Sequence, residues 1–160
     1  MIRTIDDAEQ MRELGANLAA VCEPGDVILM VGPLGAGKTT FVQGLGRGLN
    51  IEGQVTSPTY IVARVHEARD GGPDLVHVDA YRLEDELDLE TIDLDASVEE
   101  SVTVVEWGRN RAEGLGADRL EVEISFASDS ADVFGAESEP RTVRFIPLGA
   151  RWQKKLQEVR

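Results

Sequence analysis

The sequence lacks the residues from which disulfides and zinc sites are built. Its one cysteine, Cys22, excludes an internal disulfide, and with only two histidines a Cys/His zinc site is not expected. Apolar runs stay far below the ~20 residues of a membrane span. Charged residues occur throughout the first twenty positions, and no apolar signal core is present. We therefore expect a cytoplasmic protein without a membrane partner.

Positive charge is scarce as well. There are 30 Asp and Glu residues against 16 Lys and Arg, which gives a formal charge of −14 at pH 7. Broad binding to a nucleic-acid backbone needs clustered Lys and Arg, so the charge disfavours direct RNA binding. Basic protein partners and a solvated surface both remain open. Lysine is the rarest cation: apart from Lys38, only Lys154 and Lys155 occur.

The length and the hydrophobic content of 42% are sufficient for one core, so we expect a single domain over residues 1–160. The helical period of apolar residues predicts helices at 4–25, 38–49 and 151–160. Asp6 and Glu9 have capping-box spacing in the first helix, and three glycines weaken the second. Short apolar or alternating runs predict strands at 26–31, 59–68, 75–79, 101–107, 119–127 and 141–148.

The order of these elements predicts the fold class. Helices and strands interleave early in the chain, whereas 119–127 and 141–148 suit antiparallel strands towards one sheet edge. This order is typical of a single-domain three-layer α/β/α sandwich of P-loop NTPase type, with a mixed sheet. The acidic, turn-rich segment 128–139 is predicted to be a mobile loop.

The most informative stretch is the glycine-rich loop between the strand at 26–31 and the helix at 38–49. Gly32-x-x-x-x-Gly37-Lys38-Thr39 has the P-loop spacing in the strand–loop–helix context that this motif requires. Glycines let backbone N–H groups approach phosphate oxygens, and the helix start adds its positive dipole end. Lys38 is expected to reach the β- and γ-phosphates, and Thr39 to bind Mg²⁺. Thr40 can add a phosphate contact.

Two acidic residues end apolar strands. Asp79 follows "LVHV" and Glu106 follows "VTVV", and each fits the position of a strand-end carboxylate that faces the metal and the attacking oxygen. One can be a metal ligand and the other a water-orienting group or base. An exposed acid at a strand end is the plain alternative for each. His77, on the same strand face as Asp79, is expected to be a hydrogen-bonded support.

Three further segments carry a resemblance to a known family. "VTSPTY" at 55–60, "HVDAYRL" at 77–83 and "VEWG" at 105–108 follow the P-loop in order. Together the four segments resemble the TsaE (YjeE) P-loop ATPases of bacterial tRNA threonylcarbamoyladenosine synthesis. The resemblance extends over roughly residues 1–126. One position departs from it: Pro33 stands where the family usually has Asp, which puts any function of that aspartate in doubt.

The resemblance implies roles for individual residues. Asp79 corresponds to the catalytic acid, assisted by Lys38, and Glu106 to the Mg²⁺ ligand that acts with Thr39. The residues implied to bind ATP are Gly35, Ala36, Gly37, Lys38, Thr39, Thr40, Ser57, Thr59 and Trp107. Ser57 and Thr59 belong to a switch-like loop, and core packing is the alternative for Trp107. The segment around Asp6 and Asp7 is a weak candidate for the adenine site.

The resemblance also implies a function. The protein would hydrolyse ATP weakly on its own, and would be stimulated by a TsaD–TsaB complex that it resets between turnovers. TsaD would transfer the threonylcarbamoyl group onto the adenosine beside the anticodon, so tRNA would be contacted mainly through the complex. The implied cofactors are ATP and Mg²⁺.

Three other functions are alternatives for a P-loop chain, and the sequence excludes one of them. A small P-loop phosphotransferase fits the length, and Arg109 with Arg111 could form its arginine lid. A regulatory GTPase would need an N-K-x-D motif, which the absence of lysine between 39 and 153 excludes. A non-catalytic module would bind ATP without using Asp79 or Glu106.

Overall fold

The computed structural model describes residues 1–56, 63–80, 98–107, 109, 112–127 and 139–159. The elements in chain order are β1 (Ile2–Ile5), α1 (Ala8–Ala19), β2 (Val27–Val31), α2 (Lys38–Gly48), β3 (Ala63–His66), β4 (Asp74–Asp79), β5 (Ser101–Glu106), a 3₁₀ helix (Glu113–Leu115), β6 (Arg119–Phe126), β7 (Arg141–Leu148) and α3 (Ala150–Lys155). The first part of the strand predicted at 59–68 and nearly all of the loop predicted at 128–139 lie outside the described residues.

The described strands form one sheet in the order β1-β7-β6-β2-β5-β4-β3. The central strand β2 pairs in parallel with both β5 and β6, and β4 pairs in parallel with β5. The pairs β6–β7, β1–β7 and β3–β4 are antiparallel. The predicted α/β fold with a mixed sheet and antiparallel C-terminal strands is therefore confirmed. The parallel strands β2, β4 and β5 bring their carboxyl ends to the same edge.

The N-terminal segment differs from the prediction. Residues Ile2–Ile5 form a strand at the sheet edge rather than the first turn of a helix, and β7 is therefore covered on its outer side. The helix begins later, and its N-cap is Asp7 instead of Asp6, since the Asp7 side chain accepts from the Gln10 N–H. Four residues carry too short a pattern to reveal an edge strand whose partner residues lie 136–142 positions away.

Apolar side chains pack on both faces of the sheet. Ile28 and Met30 of β2 face α1 and α2, in the larger cluster, which includes Leu18, Phe41 and Leu45. Val27 and Leu29 face the opposite side, where Val98, Ala112 and Leu115 pack against the sheet among the described residues. Because strand side chains alternate, a continuous apolar run such as β2 is explained by burial on both faces.

The glycines of the two long helices have a packing function that the sequence analysis missed. A Cβ at Gly44 of α2 would lie 2.0 Å from the Arg12 carbonyl oxygen of α1. Likewise, a Cβ at Gly15 of α1 would lie 2.3 Å from the Phe41 carbonyl oxygen. The helices thus approach so closely that only hydrogen fits at these positions, and the loss of helix propensity is offset by contact between backbones.

The short helix α3 is held by ion pairs to a buried aspartate. Asp26 is 1% exposed; its Oδ2 lies 2.6 Å from Lys155 Nζ, and its Oδ1 lies 3.0 Å from Arg151 Nε. Trp152 of α3 is fully buried in the larger cluster. The helix predicted at 151–160 is therefore present at Ala150–Lys155. No helix in the described ranges is long and apolar enough to cross a membrane.

Candidate nucleotide-binding site

The loop between β2 and α2 lies at the carboxyl edge of the central strand. Gly37 caps α2 with φ +106, a left-handed conformation that glycine adopts without strain, and no side chain caps the helix start. The first N–H groups of α2 therefore have no partner within the helix. Gly32 is required for another reason, since a Cβ there would lie 2.4 Å from the Ile124 carbonyl oxygen. This geometry presents helix N–H groups to an anion.

Lys38 is folded back onto its own loop. Its Nζ donates to the carbonyl oxygens of Gly32 at 2.8 Å and Pro33 at 2.9 Å, and the residue is 5% exposed. Burial lowers the pKa of Lys38, while the carboxylates of Glu106 and Asp79 act in the opposite direction. Both carboxylates are therefore near enough to interact electrostatically with the Lys38 ammonium group.

Asp79 and Glu106 end neighbouring parallel strands in register. They are Cα partners in the β4–β5 pairing, and Glu106 is also the partner of Met30 on β2. Glu106 is buried, and its Oε1 accepts from the Thr39 hydroxyl at 3.1 Å. The strand ends therefore bring a carboxylate from β5 into direct contact with the first turn of α2.

His77 lies beside Glu106, as expected of a supporting residue. Its side chain is fully buried on β4, and Nε2 is 2.9 Å from Glu106 Oε1. Since Nε2 faces a carboxylate oxygen, the ring proton belongs on this nitrogen. Thr39 and His77 thus contact the same oxygen of Glu106 from two different elements.

Trp107 follows Glu106 in an unusual backbone conformation. Its φ is +61, which is left-handed for a residue with a bulky side chain, and its N–H donates to the Met30 carbonyl oxygen at 3.1 Å. The ring lies 3.9 Å from Lys38 Nζ, measured to the ring centroid. The strained turn therefore places an aromatic face against the P-loop lysine.

A cavity of about 420 Å³ adjoins the loop on the side of α1. Its lining residues come from the N-terminal segment, the P-loop and the start of β7: Ile5, Asp6, Asp7, Ala8, Met11, Gly35, Ala36, Gly37, Thr40, Glu139 and Arg141. The Ala36 N–H is engaged within the loop, since it donates to the Pro33 carbonyl oxygen at 3.2 Å. Apolar walls with a few carboxylates suit a planar nitrogen base.

The structure brings together most of the site residues that the sequence singled out. Lys38, Thr39, Glu106 and Trp107 are in contact, Asp79 is paired with Glu106, and Gly35, Ala36, Gly37 and Thr40 line the adjoining cavity. Ser57 and Thr59 lie outside the described residues. Ile5, Ala8, Met11 and Arg141 were missed, because nothing in their local pattern distinguishes a cavity wall from core or surface.

Thr39 and Glu106 suit Mg²⁺ that is also bound by the phosphates of a nucleotide. No group of three or more His, Cys, Asp or Glu side chains in the described ranges could hold a metal ion. Thr39 and Glu106 instead offer a hydroxyl and a carboxylate in contact with each other. Mg²⁺ is bound by one or two such oxygen ligands together with phosphate oxygens and water, so these two residues suit a nucleotide-bound ion.

The fold and this site define a P-loop NTPase-type protein. The family model described as threonylcarbamoyl adenosine biosynthesis protein TsaE matches residues 5–133. A relative from Streptomyces coelicolor, called tRNA threonylcarbamoyladenosine biosynthesis protein TsaE, is 51% identical over 144 residues, which cover 89% of this chain and 93% of the relative. The chain therefore belongs to the TsaE family.

Two matches from Bacillus subtilis, one of sequence and one of structure, extend the likeness over nearly the whole chain. The protein of the same name is 35% identical over 158 residues, covering 98% of this chain and 91% of the relative. The crystal structure of YdiB matches with a TM-score of 0.78 and 29% identity, covering 99% of this chain and 93% of YdiB. The similarity thus includes the C-terminal segment, in which the sequence offered no motif.

Proposed function

We propose that this protein is the ATP-hydrolysing subunit in the synthesis of threonylcarbamoyladenosine in tRNA, acting with a TsaD–TsaB complex that it resets between turnovers. The observation that carries the proposal is the convergence of Lys38, Thr39, Asp79 and Glu106 at one sheet edge. Membership of the TsaE family, whose curated relatives are named for this pathway, supports the biological role.

Each residue of the site has a proposed task. The N–H groups at the start of α2 and the Lys38 ammonium bind the phosphates, once the ammonium leaves the carbonyls of its own loop. Thr39 and Glu106 bind Mg²⁺, which when bound neutralises charge on the phosphate oxygens. Asp79 orients the attacking water or accepts its proton.

The adjoining cavity is proposed to hold the base. Ile5, Ala8 and Met11 supply apolar contact to a planar ring, and the carboxylates of Asp6 and Asp7 are acceptors. The exocyclic amine of adenine is a donor, whereas guanine has a carbonyl oxygen at the corresponding ring position. A carboxylate at that position favours ATP over GTP.

Charge neutralisation on the γ-phosphate is incomplete among the described residues. Arg109 is engaged by β6: its Nη2 lies 3.0 Å from Glu121 Oε2 and its Nη1 lies 3.3 Å from Glu123 Oε1. Gln43 is also engaged, since its Nε2 donates to the Val55 carbonyl oxygen at 3.2 Å. An arginine supplied by a partner, worth about 10³–10⁵ in rate, would complete such a site and couple hydrolysis to assembly.

Steady-state ATP turnover tests the proposal, first with the protein alone and then with TsaD and TsaB from the same organism. We expect slow turnover that rises on addition of the complex, with Lys38→Ala as the inactive control. Turnover of ~1–100 s⁻¹ by the protein alone, unchanged by the partners, would contradict partner completion and favour a small-molecule phosphotransferase. The engagement of Arg109 with β6 weighs against its use in the arginine lid of that alternative.

A further inference from the structure

The buried histidine of β4 has a contact that core packing alone does not require. His77 is 0% exposed, and its neighbours along the strand, Val76 and Val78, are apolar and equally buried. Its Nδ1 has no hydrogen-bond partner in the part of the chain that the structure describes. A buried nitrogen without a partner costs free energy, which a valine or leucine at this position would avoid. The polar contact that the structure gives this ring is the one made by its other nitrogen.

The other nitrogen contacts Glu106 at a chosen oxygen. His77 Nε2 is 2.9 Å from Glu106 Oε1, and the Thr39 hydroxyl reaches the same Oε1 at 3.1 Å. A carboxylate oxygen offers about two lone-pair directions, and these two donors occupy both of them. The carboxylate is thus clamped through Oε1 between β4 and α2. The second oxygen, Oε2, is left to act as a ligand.

We propose that His77 is a positioning residue for the Mg²⁺-binding carboxylate of Glu106, an inference that rests on the proposed function. Its Nε2–H fixes the rotation of the carboxylate, so that Oε2 faces the bound ion while Thr39 keeps its oxygen lone pairs for the same ion. A histidine that orients a ligating carboxylate acts as the outer partners of metal sites generally do. The contribution of His77 is to metal affinity, and ATP binding without metal does not depend on it.

A pair of amide variants separates positioning from simple filling of space. The side-chain nitrogen of Gln reaches the location of Nε2, whereas that of Asn reaches only the location of Nδ1. The measurement is the affinity for the non-hydrolysable analogue AMPPNP by calorimetry, with Mg²⁺ and then with EDTA. The ratio of the two affinities is the gain due to the metal. Binding in EDTA and the thermal midpoint report on folding in the same samples.

We expect His77→Asn to lose about 10–100-fold of the metal-dependent gain, the usual loss for an outer-shell partner. His77→Gln should stay within about threefold of the unaltered protein, because it restores the donor to Glu106. Binding in EDTA should change little in either variant. If His77→Asn does not fold, His77→Leu takes its place with the same expected loss, since it fills the space without a donor.

Two results would overturn the inference. An unaltered metal-dependent gain in the Asn or Leu variant would mean that Glu106 needs no help from His77. Equal losses in the Gln and Asn variants would mean that the position of the N–H group is irrelevant. In both cases ATP still binds, so neither result contradicts the proposed function. If the unaltered protein binds no AMPPNP with or without Mg²⁺, the proposed function fails, and this inference fails with it.

Discussion

The ammonium group of Lys38 lies 3.9 Å from the ring centroid of Trp107 while it donates to two carbonyl oxygens of its own loop. The lysine is thus held in a compact arrangement by an aromatic face and backbone acceptors. Phosphate oxygens, which carry full charge, are stronger partners than either. Nucleotide binding and this resting arrangement therefore compete for the same ammonium group.

We predict that Mg²⁺ and ATP change the fluorescence of Trp107, because the cation above its ring moves away. The change should be absent in Trp107→Phe, which retains Trp152 as an internal reference. Lys38→Ala should abolish both the change and productive ATP binding, since Lys38 is the only lysine at the loop. A full fluorescence change and normal affinity in Lys38→Ala would refute the P-loop assignment.

We predict that replacing Glu106 and replacing Asp79 give different defects in ATP turnover. Glu106→Ala removes a metal ligand, so its defect in ATP turnover should depend on Mg²⁺ and be partly restored at high concentration. Asp79→Ala should leave ATP binding intact and lower turnover at every Mg²⁺ concentration. The measurement is turnover across a Mg²⁺ titration. The reverse pattern would require the two roles to be exchanged.

We predict that Gly44→Ala destabilises the fold even though alanine is the better helix former. The new Cβ would lie 2.0 Å from the Arg12 carbonyl oxygen. Overpacking of this kind costs about 1–3 kcal/mol, more than the helix propensity gained. Urea unfolding measures the loss. Gly72→Ala is the control, because among the described residues a Cβ at Gly72 would meet Ala68 Cβ at 3.9 Å, an ordinary van der Waals distance. Equal stability of the two variants would contradict the close approach of α1 and α2.

We predict a pH dependence from Cys22. Burial, followed by the charge of Asp26, raises the pKa of its thiol well above the ordinary value. The folded thiol therefore stays protonated where the unfolded one ionises, so its contribution to stability is complete below about pH 8.5 and is lost as the pH rises above that value. Urea unfolding from pH 7.5 to 10 measures this, and Cys22→Ala should show a shallower loss. An identical slope in the variant would exclude the thiol as its source.

The P-loop and the strand ends were predictable because their information is local. Each signal lies within the segment whose structure it predicts. The signals are the spacing from Gly32 to Thr39, the apolar run before it, and the acids that end β4 and β5. Parallel strands then bring their carboxyl ends to one edge without further information. The predicted proximity of Asp79, Glu106 and the loop follows from these facts alone.

Contacts between distant segments were not predictable from the same patterns. The motif, the fold class and the acids at the site could be predicted, because each depends on short-range spacing and on burial. Three features follow from long-range packing alone: Ile2–Ile5 complete the sheet beside β7, Gly44 admits the backbone of α1, and His77 and Thr39 share one oxygen of Glu106. These contacts depend on which surfaces meet when the chain packs. A periodic pattern shows that a segment has an apolar face, but it does not indicate which distant segment packs against that face.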